Sequence, residues 1–216
     1  MTRINELLEG KIILEERHSE YNGTLSVVKD LLFGTYIVGG GLPQSGGLAK
    51  KIWRMSLGEV KKIKPHTEEA LIVGLGGGGI AGVLRKNYPY INITGVDIDS
   101  TMVDLGKKYL KLDAHNVDIH IQDAEVFIDS EIKRKHKYDL VCFDTYVGDS
   151  FPERFTQAKF VAKIKKILST DGLAVFNRLY GPEDRAAAHK FFRTLEKVFS
   201  RVDAVYPVAN VMYIVS

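Results

Sequence analysis

Short apolar segments alternate with amphipathic segments from Glu69 to the end of the chain. The apolar segments, such as Leu-Ile-Val at 71–73 and Leu-Val-Cys-Phe at 140–143, have no polar interruption, which is typical of strands buried on both faces of a parallel sheet. Regular alternation of such strands with amphipathic helices predicts a doubly wound α/β fold, with helices on both faces of an open sheet.

The alternation gives definite element boundaries. We predict strands at 70–74, 92–97, 117–122, 138–144, 172–177, 201–207 and 210–215, and helices at 79–87, 100–110, 124–132, 154–168 and 183–199. Asp171-Gly172 is predicted to end the fourth of these helices. Too few residues separate the last two strands for a crossover helix, so they should be antiparallel. A mostly parallel, seven-stranded sheet that ends in this way is the class I methyltransferase arrangement, and it differs from the dinucleotide-binding Rossmann arrangement.

The first part of the chain has a different pattern. Residues 12–16, 24–29 and 35–38 are β-prone and are separated by Asn22-Gly23 and by three glycines at 39–41. Asn-Gly between two strand patterns is a strong hairpin signal. A short helix at 50–61 should follow. We therefore predict a small antiparallel β unit within residues 1–64, followed by an α/β domain over residues 65–216.

Composition restricts the function classes. The 216 residues carry a net charge of +3 and a single cysteine, Cys142, so neither nucleic-acid binding nor a disulfide framework is expected. The six His residues lack the spacing of metal ligands, and no apolar run reaches the ~18–20 residues of a membrane span. The N-terminus lacks the apolar region of a signal peptide. These features predict a cytoplasmic protein that acts on a small molecule without a metal or a membrane.

A glycine-rich loop marks the first candidate site. The strand at 70–74 runs into Gly74-Leu-Gly-Gly-Gly-Gly79 and then into a helix. Glycine permits positive φ and close approach of a ligand to the backbone, and the following helix offers free N–H groups at its positive end. Open α/β sheets bind ligands beyond the carboxyl ends of their strands. We therefore expect a ligand at Gly74, Gly76, Gly77 and Gly78.

Acidic residues follow the next two strands. Asp97 ends the second strand, 21 residues after Gly76, where a carboxylate accepts hydrogen bonds from a ribose diol. Asp123 follows the third strand and either accepts from an adenine amino group or caps the helix that begins at Ala124. A ligand that lies across three strand ends in this way is more typical of S-adenosylmethionine than of NAD.

Asp144 ends the fourth strand, where the reactive end of the ligand is expected. A carboxylate there can orient or deprotonate an incoming N–H or O–H, or it can simply form a turn. Tyr146 either lines the substrate pocket or covers the sheet edge, and Asp149 on the same loop could assist Asp144. The sequence contains neither a G-x-S-x-G elbow nor a Gly-Lys-Ser/Thr phosphate loop.

The order of these motifs resembles the spermidine synthases and their methyltransferase-like relatives over most of the chain. That family carries Ser-x-Tyr-Gln and Gly-x-x-Gln in a β-rich N-terminal unit. Here Ser19-Glu-Tyr-Asn22 and Gly41-Leu-Pro-Gln44 are similar. The resemblance implies that S-adenosylmethionine or its decarboxylated form is the cofactor, with Asp97 on the ribose, Asp123-Ala124 at the adenine and Gln44 on the amino-acid-like tail. It also implies that Asp144 is catalytic. Relatives are often dimers, so a homodimer is suggested by analogy alone, and the sequence itself does not indicate the oligomeric state.

Departures from the family pattern affect the predicted reaction. Aminopropyl-transferring members have Tyr-His-Glu where this chain has Trp53-Arg-Met, and an aspartate where it has Gly77. A polyamine site needs several carboxylates to stabilise ammonium groups in a partly dry channel. Loss of the loop acid also removes a repulsion against the carboxylate of intact S-adenosylmethionine. We therefore predict methyl transfer to a small non-polyamine acceptor, with Trp53 in the substrate site. An aminopropyltransferase and a non-catalytic nucleoside-binding module stay open as alternatives.

Overall fold

The structure, a computed structural model, describes residues 10–148 and 150–216. The described chain contains a four-stranded and a seven-stranded sheet. The first sheet is built from β1 (Lys11–Ser19), β2 (Gly23–Asp30), β3 (Gly34–Gly39) and β4 (Leu42–Gly46), which pair antiparallel in that order. Helix α1 (Gly47–Ile63) follows directly.

The seven-stranded sheet carries five further helices. Its elements in chain order are β5 (Glu69–Val73), α2 (Gly79–Asn87), β6 (Asn92–Asp97), α3 (Ser100–Leu110), β7 (Val117–Ile121), α4 (Ala124–Arg134), β8 (Tyr138–Phe143), α5 (Ala158–Ile167), β9 (Leu168–Leu179), α6 (Arg185–Glu196), β10 (Val202–Val205) and β11 (Asn210–Val215). The strand order is β10-β11-β9-β8-β5-β6-β7, and β11 is antiparallel to both of its neighbours. The predicted doubly wound, mostly parallel sheet with an antiparallel last strand is confirmed.

Hydrophobic side chains on both faces of this sheet form two separate core clusters. In β8, Val141 and Phe143 point to the face covered by α4, α5 and α6, whereas Leu140 and Cys142 point to the face covered by α1, α2 and α3. Both sets are fully buried. The uninterrupted apolar pattern of the strand therefore reflects burial on two sides, because successive side chains of a strand alternate between faces.

The N-terminal sheet packs on α3 through Leu25, Val27 and Ile37, which contact Met102 and Leu105. The Asn22-Gly23 turn joins β1 to β2, as the hairpin signal predicts. Strand β4 was not predicted. Its sequence, Leu-Pro-Gln-Ser-Gly, lacks both β-branched residues and apolar alternation, so only its pairing with β3 makes it a strand.

Helix α1 extends further at both ends than the predicted 50–61. Its buried residues Ile52, Trp53, Leu57 and Val60 belong to the core cluster of the seven-stranded sheet. The domain boundary at residue 64 stays a prediction.

The region before β9 differs from the prediction in two respects. A 3₁₀ turn (Glu153–Thr156) and α5 replace the single helix at 154–168, because Gln157 between them is extended, with φ −78° and ψ 139°. Asp171-Gly172 does not end a helix but lies inside β9, beside a register shift opposite Tyr138. A Cβ at Gly172 would come within 2.9 Å of the Tyr138 carbonyl oxygen. Glycine at this position therefore allows β8 and β9 to approach each other closely.

No helix within residues 10–148 and 150–216 is long and apolar enough to cross a lipid bilayer. In the same residues, the His, Cys, Asp and Glu side chains form no group of three or more that could hold a metal ion.

Candidate functional site

A cavity of about 340 Å³ lies at the carboxyl ends of β5 to β8, between α1 and the segment that follows β8. This volume is within the range of small-molecule sites. Nine of the residues predicted from the sequence line it: Gln44, Trp53, Gly74, Gly76, Asp97, Asp123, Ala124, Asp144 and Tyr146. The fold thus brings together residues that are spread over 103 positions of the chain, from 44 to 146.

Gly74 begins the glycine loop in a left-handed conformation, with φ +86°. A Cβ at this position would lie 1.9 Å from the backbone oxygen of Asp144. Glycine is therefore needed for two separate reasons: the positive φ and the close contact between the ends of β5 and β8. This contact fixes the distance between the glycine loop and Asp144.

Gly77 and Gly78 are not among the residues that line the cavity. A Cβ on Gly77 would meet the side chains of Leu110 and Ser45, and one on Gly78 would meet Leu112. The Cβ direction of both glycines is thus toward neighbouring elements, and ligand contacts at Gly77 and Gly78 stay a prediction. A Cβ at position 77 would point toward Leu110 and Ser45, so an acid there would not start out directed at the carboxylate of a bound donor.

Asp97 holds the loop against the end of β6. Its Oδ2 accepts from the backbone N–H of Gly76 at 2.6 Å, and its Oδ1 accepts from that of Asp99 at 2.9 Å. Burial raises the pKa of Asp97 to about 6, although these hydrogen bonds act in the opposite direction. Each carboxylate oxygen keeps a second lone pair, so the group can still accept hydrogen bonds from a ligand.

Asp123 is the N-cap of α4. Its Oδ1 accepts from the backbone N–H groups of Glu125 and Val126, and its Oδ2 accepts from Arg154 at 2.5 Å. Burial acts to raise the pKa of Asp123, but the Arg154 and backbone hydrogen bonds outweigh it and hold the pKa below its usual value. The capping role is present in the structure, and the carboxylate also borders the cavity, so a contact with adenine stays a prediction.

Asp144 is held by two side chains from distant parts of the chain. The indole N–H of Trp53 donates to Oδ2 at 2.6 Å, and the amide of Asn177 donates to Oδ1 at 2.9 Å. Asn210 donates in turn to the Asn177 side-chain oxygen at 2.8 Å, which fixes the orientation of that amide. Burial raises the pKa of Asp144, partly offset by the two donors. The side chain is thus a positioned carboxylate with increased affinity for a proton.

Two other predicted residues close the cavity. The Tyr146 hydroxyl accepts from the backbone N–H of Leu179 at 2.7 Å, and burial raises the pKa of Tyr146 to about 12. The Gln44 amide donates to the carbonyl oxygen of Gly148 at 2.8 Å, which links β4 to the segment after β8. Asp149 lies outside the described residues.

Several residues of the site were missed. Asn177 and Arg154 contact the predicted acids directly, Ser45 accepts from the Gly77 N–H at 3.0 Å, and Lys50 lines the cavity. No local pattern marks Arg154 or Lys50. Asn177 did carry a signal, because a polar residue at the carboxyl end of an otherwise apolar strand is expected to face a site.

Residues 53–213 match the family model described as the spermine/spermidine synthase domain. The chain belongs to this family. The match covers both ends of the cavity, from Trp53 to the strands that carry Asp144 and Asn177.

Named relatives within the family differ in their reactions. A polyamine aminopropyltransferase from Vibrio vulnificus is 32% identical over 52% of this chain and 38% of its own length. An eEF1A lysine and N-terminal methyltransferase homolog from Drosophila melanogaster is 29% identical over 62% of this chain and 21% of its own. The chain thus spans less than half the length of either relative. A spermidine synthase solved with the transition-state analogue AdoDATO shares the fold, with a TM-score of 0.79 and 17% identity over 94% of this chain and 73% of that one.

Proposed function

We propose that the chain is an S-adenosylmethionine-dependent transferase that moves a methyl group to a small non-polyamine acceptor. The observation that carries this proposal is the charge of the cavity lining. Among the described residues, its carboxylates are Asp97, Asp123 and Asp144, and its basic residues are Lys50 and Arg154. With Asp97 and Asp123 on the nucleoside, one described carboxylate is left for the acceptor. A polyamine would need more, because each buried ammonium group requires a partner.

The donor fits the glycine-loop side of the cavity. We place its ribose on Asp97, its adenine beside Asp123 and Ala124, and its amino-acid tail along Gly74, Gly76 and Gln44. The sulfonium then lies near the end of β8. Both oxygens of Asp97 are already oriented by backbone N–H groups, so a ribose diol meets a fixed carboxylate.

The reaction needs one group besides the donor. In methyl transfer, the acceptor lone pair attacks the methyl carbon, the carbon–sulfur bond breaks, and its electron pair stays on sulfur. The acceptor's proton must then leave, and Asp144 is the carboxylate positioned to take it. Trp53 and Asn177 hold Asp144 at the end of β8, and its raised pKa brings it closer to that of an effective base at neutral pH.

Aminopropyl transfer is the second candidate, favoured by the family model and by the Vibrio relative. It breaks a different carbon–sulfur bond of decarboxylated S-adenosylmethionine and uses the same in-line geometry. A nucleoside-binding module without turnover is the third possibility, since the backbone contacts of Asp97 do not require chemistry at Asp144.

Mass spectrometry of the sulfur product separates these candidates. The purified chain is incubated with intact or decarboxylated S-adenosylmethionine and a panel of small amines, alcohols and thiols that includes putrescine. We expect S-adenosylhomocysteine and an acceptor heavier by one CH₂. Methylthioadenosine together with aminopropylated putrescine would establish the second candidate instead. Tight donor binding without either product over the whole panel would favour the binding module.

A further inference from the structure

A second cavity, of about 330 Å³, lies on the other side of the glycine loop, where the first turns of α1 and α2 meet the end of α3. Four of its lining residues are basic: Lys50, Lys51, Arg54 and Lys111. No described Asp or Glu residue lines it. The cavity is therefore uniformly positive, unlike the first cavity, where acids and bases are mixed.

These four charges are not neutralised within the described part of the protein. None of the ion pairs between described residues involves Lys50, Lys51, Arg54 or Lys111. Other basic residues of the same helices are paired, such as Lys108 of α3 with Glu15 and Lys62 of α1 with Glu59. Like charges held around one cavity repel each other, and a bound anion would remove that repulsion.

Backbone groups at two helix ends add to the positive potential of this cavity. Gly46 and Gly78 are the N-caps of α1 and α2, and both line this cavity together with Gly47 and Gly79. Neither helix has a side-chain cap hydrogen bond or an acidic residue in its first turn. Both helices therefore turn their positive ends toward the cavity and add to the charge of the four side chains.

We propose that this basic cavity binds a small phosphate-bearing anion at a site separate from the transfer reaction. Arg54 and the lysines suit phosphate, since a guanidinium offers paired donors and an ammonium offers a compact charge. The volume fits one small molecule rather than an extended polymer. Asp144 does not line the cavity, whereas Gly46, Lys50 and Gly79 line both cavities, so an anion here adjoins the glycine loop without reaching the reacting end.

Calorimetric titration with inorganic pyrophosphate at constant ionic strength tests the site without any donor or acceptor. The variant Lys51→Ala/Arg54→Ala removes two exposed charges three residues apart on α1. Its control, Lys190→Ala/Arg193→Ala, removes two exposed charges at the same spacing on α6. We expect the wild type and the control to bind alike, and the first variant to bind at least about tenfold more weakly.

Equal weakening in both variants, or no pyrophosphate binding by the wild type, would overturn the proposal. A parallel titration with a short single-stranded oligonucleotide identifies the source of the phosphate. Binding of the oligonucleotide without binding of pyrophosphate would show a polyanion-binding surface and would also contradict the proposed site. Circular dichroism of all the variants checks that the fold is unchanged. Because the titration uses neither a donor nor an acceptor, its outcomes can be interpreted even if the proposed transferase activity is not found.

Discussion

The two ends of the first cavity hold their carboxylates in different ways. At the glycine-loop end, Asp97 accepts hydrogen bonds from backbone N–H groups, and Asp123 accepts from two backbone N–H groups and from the Arg154 side chain. At the Asp144 end, the partners are the side chains of Trp53 and Asn177, which are 91 and 33 residues away in sequence. The position of Asp97 therefore follows from the path of the backbone, whereas the position of Asp144 depends on two particular side chains.

This contrast is consistent with a family whose members catalyse different reactions. Substitutions near the loop end leave backbone N–H groups in place, so a nucleoside site can persist while other residues change. Replacement of Trp53 or Asn177 would remove a donor from Asp144 directly. A change of acceptor is therefore expected to accompany changes at the Asp144 end.

The largest expected effect comes from Gly74→Ala, where the two ends touch. The new methyl group would lie 1.9 Å from the Asp144 oxygen, at φ +86°. We expect the free energy of unfolding to fall by at least about 4 kcal/mol, as measured by urea denaturation, because backbone cannot yield as a flexible side chain can.

Gly58→Ala is the matched control for this substitution. Gly58 lies within α1, and a Cβ added to it would have no heavy atom of the described residues within 4 Å, apart from its local neighbours. We expect this variant to be more stable than the wild type by about 0.5–1 kcal/mol, since alanine favours the helix. Similar effects of the two substitutions would show that β5 and β8 are not in close contact.

Asp144→Asn is expected to have the next largest effect. It keeps the size of the side chain but removes the proton acceptor, so turnover should fall roughly 10²–10⁴-fold with whichever donor and acceptor the product assay identifies. Initial rates at saturating donor are the measurement. Unchanged turnover would mean that Asp144 only shapes the turn after β8.

A change of pH is expected to have a smaller effect, on donor binding at the glycine-loop end of the cavity. The ionised form of Asp97 accepts stronger hydrogen bonds, and burial raises its pKa to about 6. Donor affinity should therefore be full well above this pKa and decline as the pH falls through it. Between about pH 7.5 and about pH 5.5 we expect roughly fourfold weaker binding. Asp97→Asn should give a flatter profile, and an equal slope in that variant would assign the titration to another group.

The sequence allowed prediction of the seven-stranded sheet and of most of the loop end, because their signals are local. The apolar runs locate the strands, the glycines locate the loop, Asp97 is the last residue of β6, and Asp123 lies two residues after β7. Strand β4 was missed because its pairing with β3, rather than its composition, makes it a strand.

The contacts around Asp144 could not be predicted in the same way. Trp53 was expected in the substrate site, but no sequence spacing indicates that its indole reaches Asp144 or that Asn177 approaches from β9. The orientation of Gly77 was also beyond local signals, since it depends on the packing of Leu110 and Ser45 against the loop.

The central claim is that the two ends of the cavity have separate roles, and S-adenosylmethionine titration by calorimetry tests it most directly. We expect Asp97→Ala to weaken binding by about 1.5–3 kcal/mol, the scale of hydrogen bonds to a charged acceptor. Asp144→Asn should leave the dissociation constant within about twofold of the wild type, a change well below 1 kcal/mol. If Asp144→Asn weakens binding as much as Asp97→Ala, or if Asp97→Ala leaves the affinity unchanged, the division between the two ends is wrong.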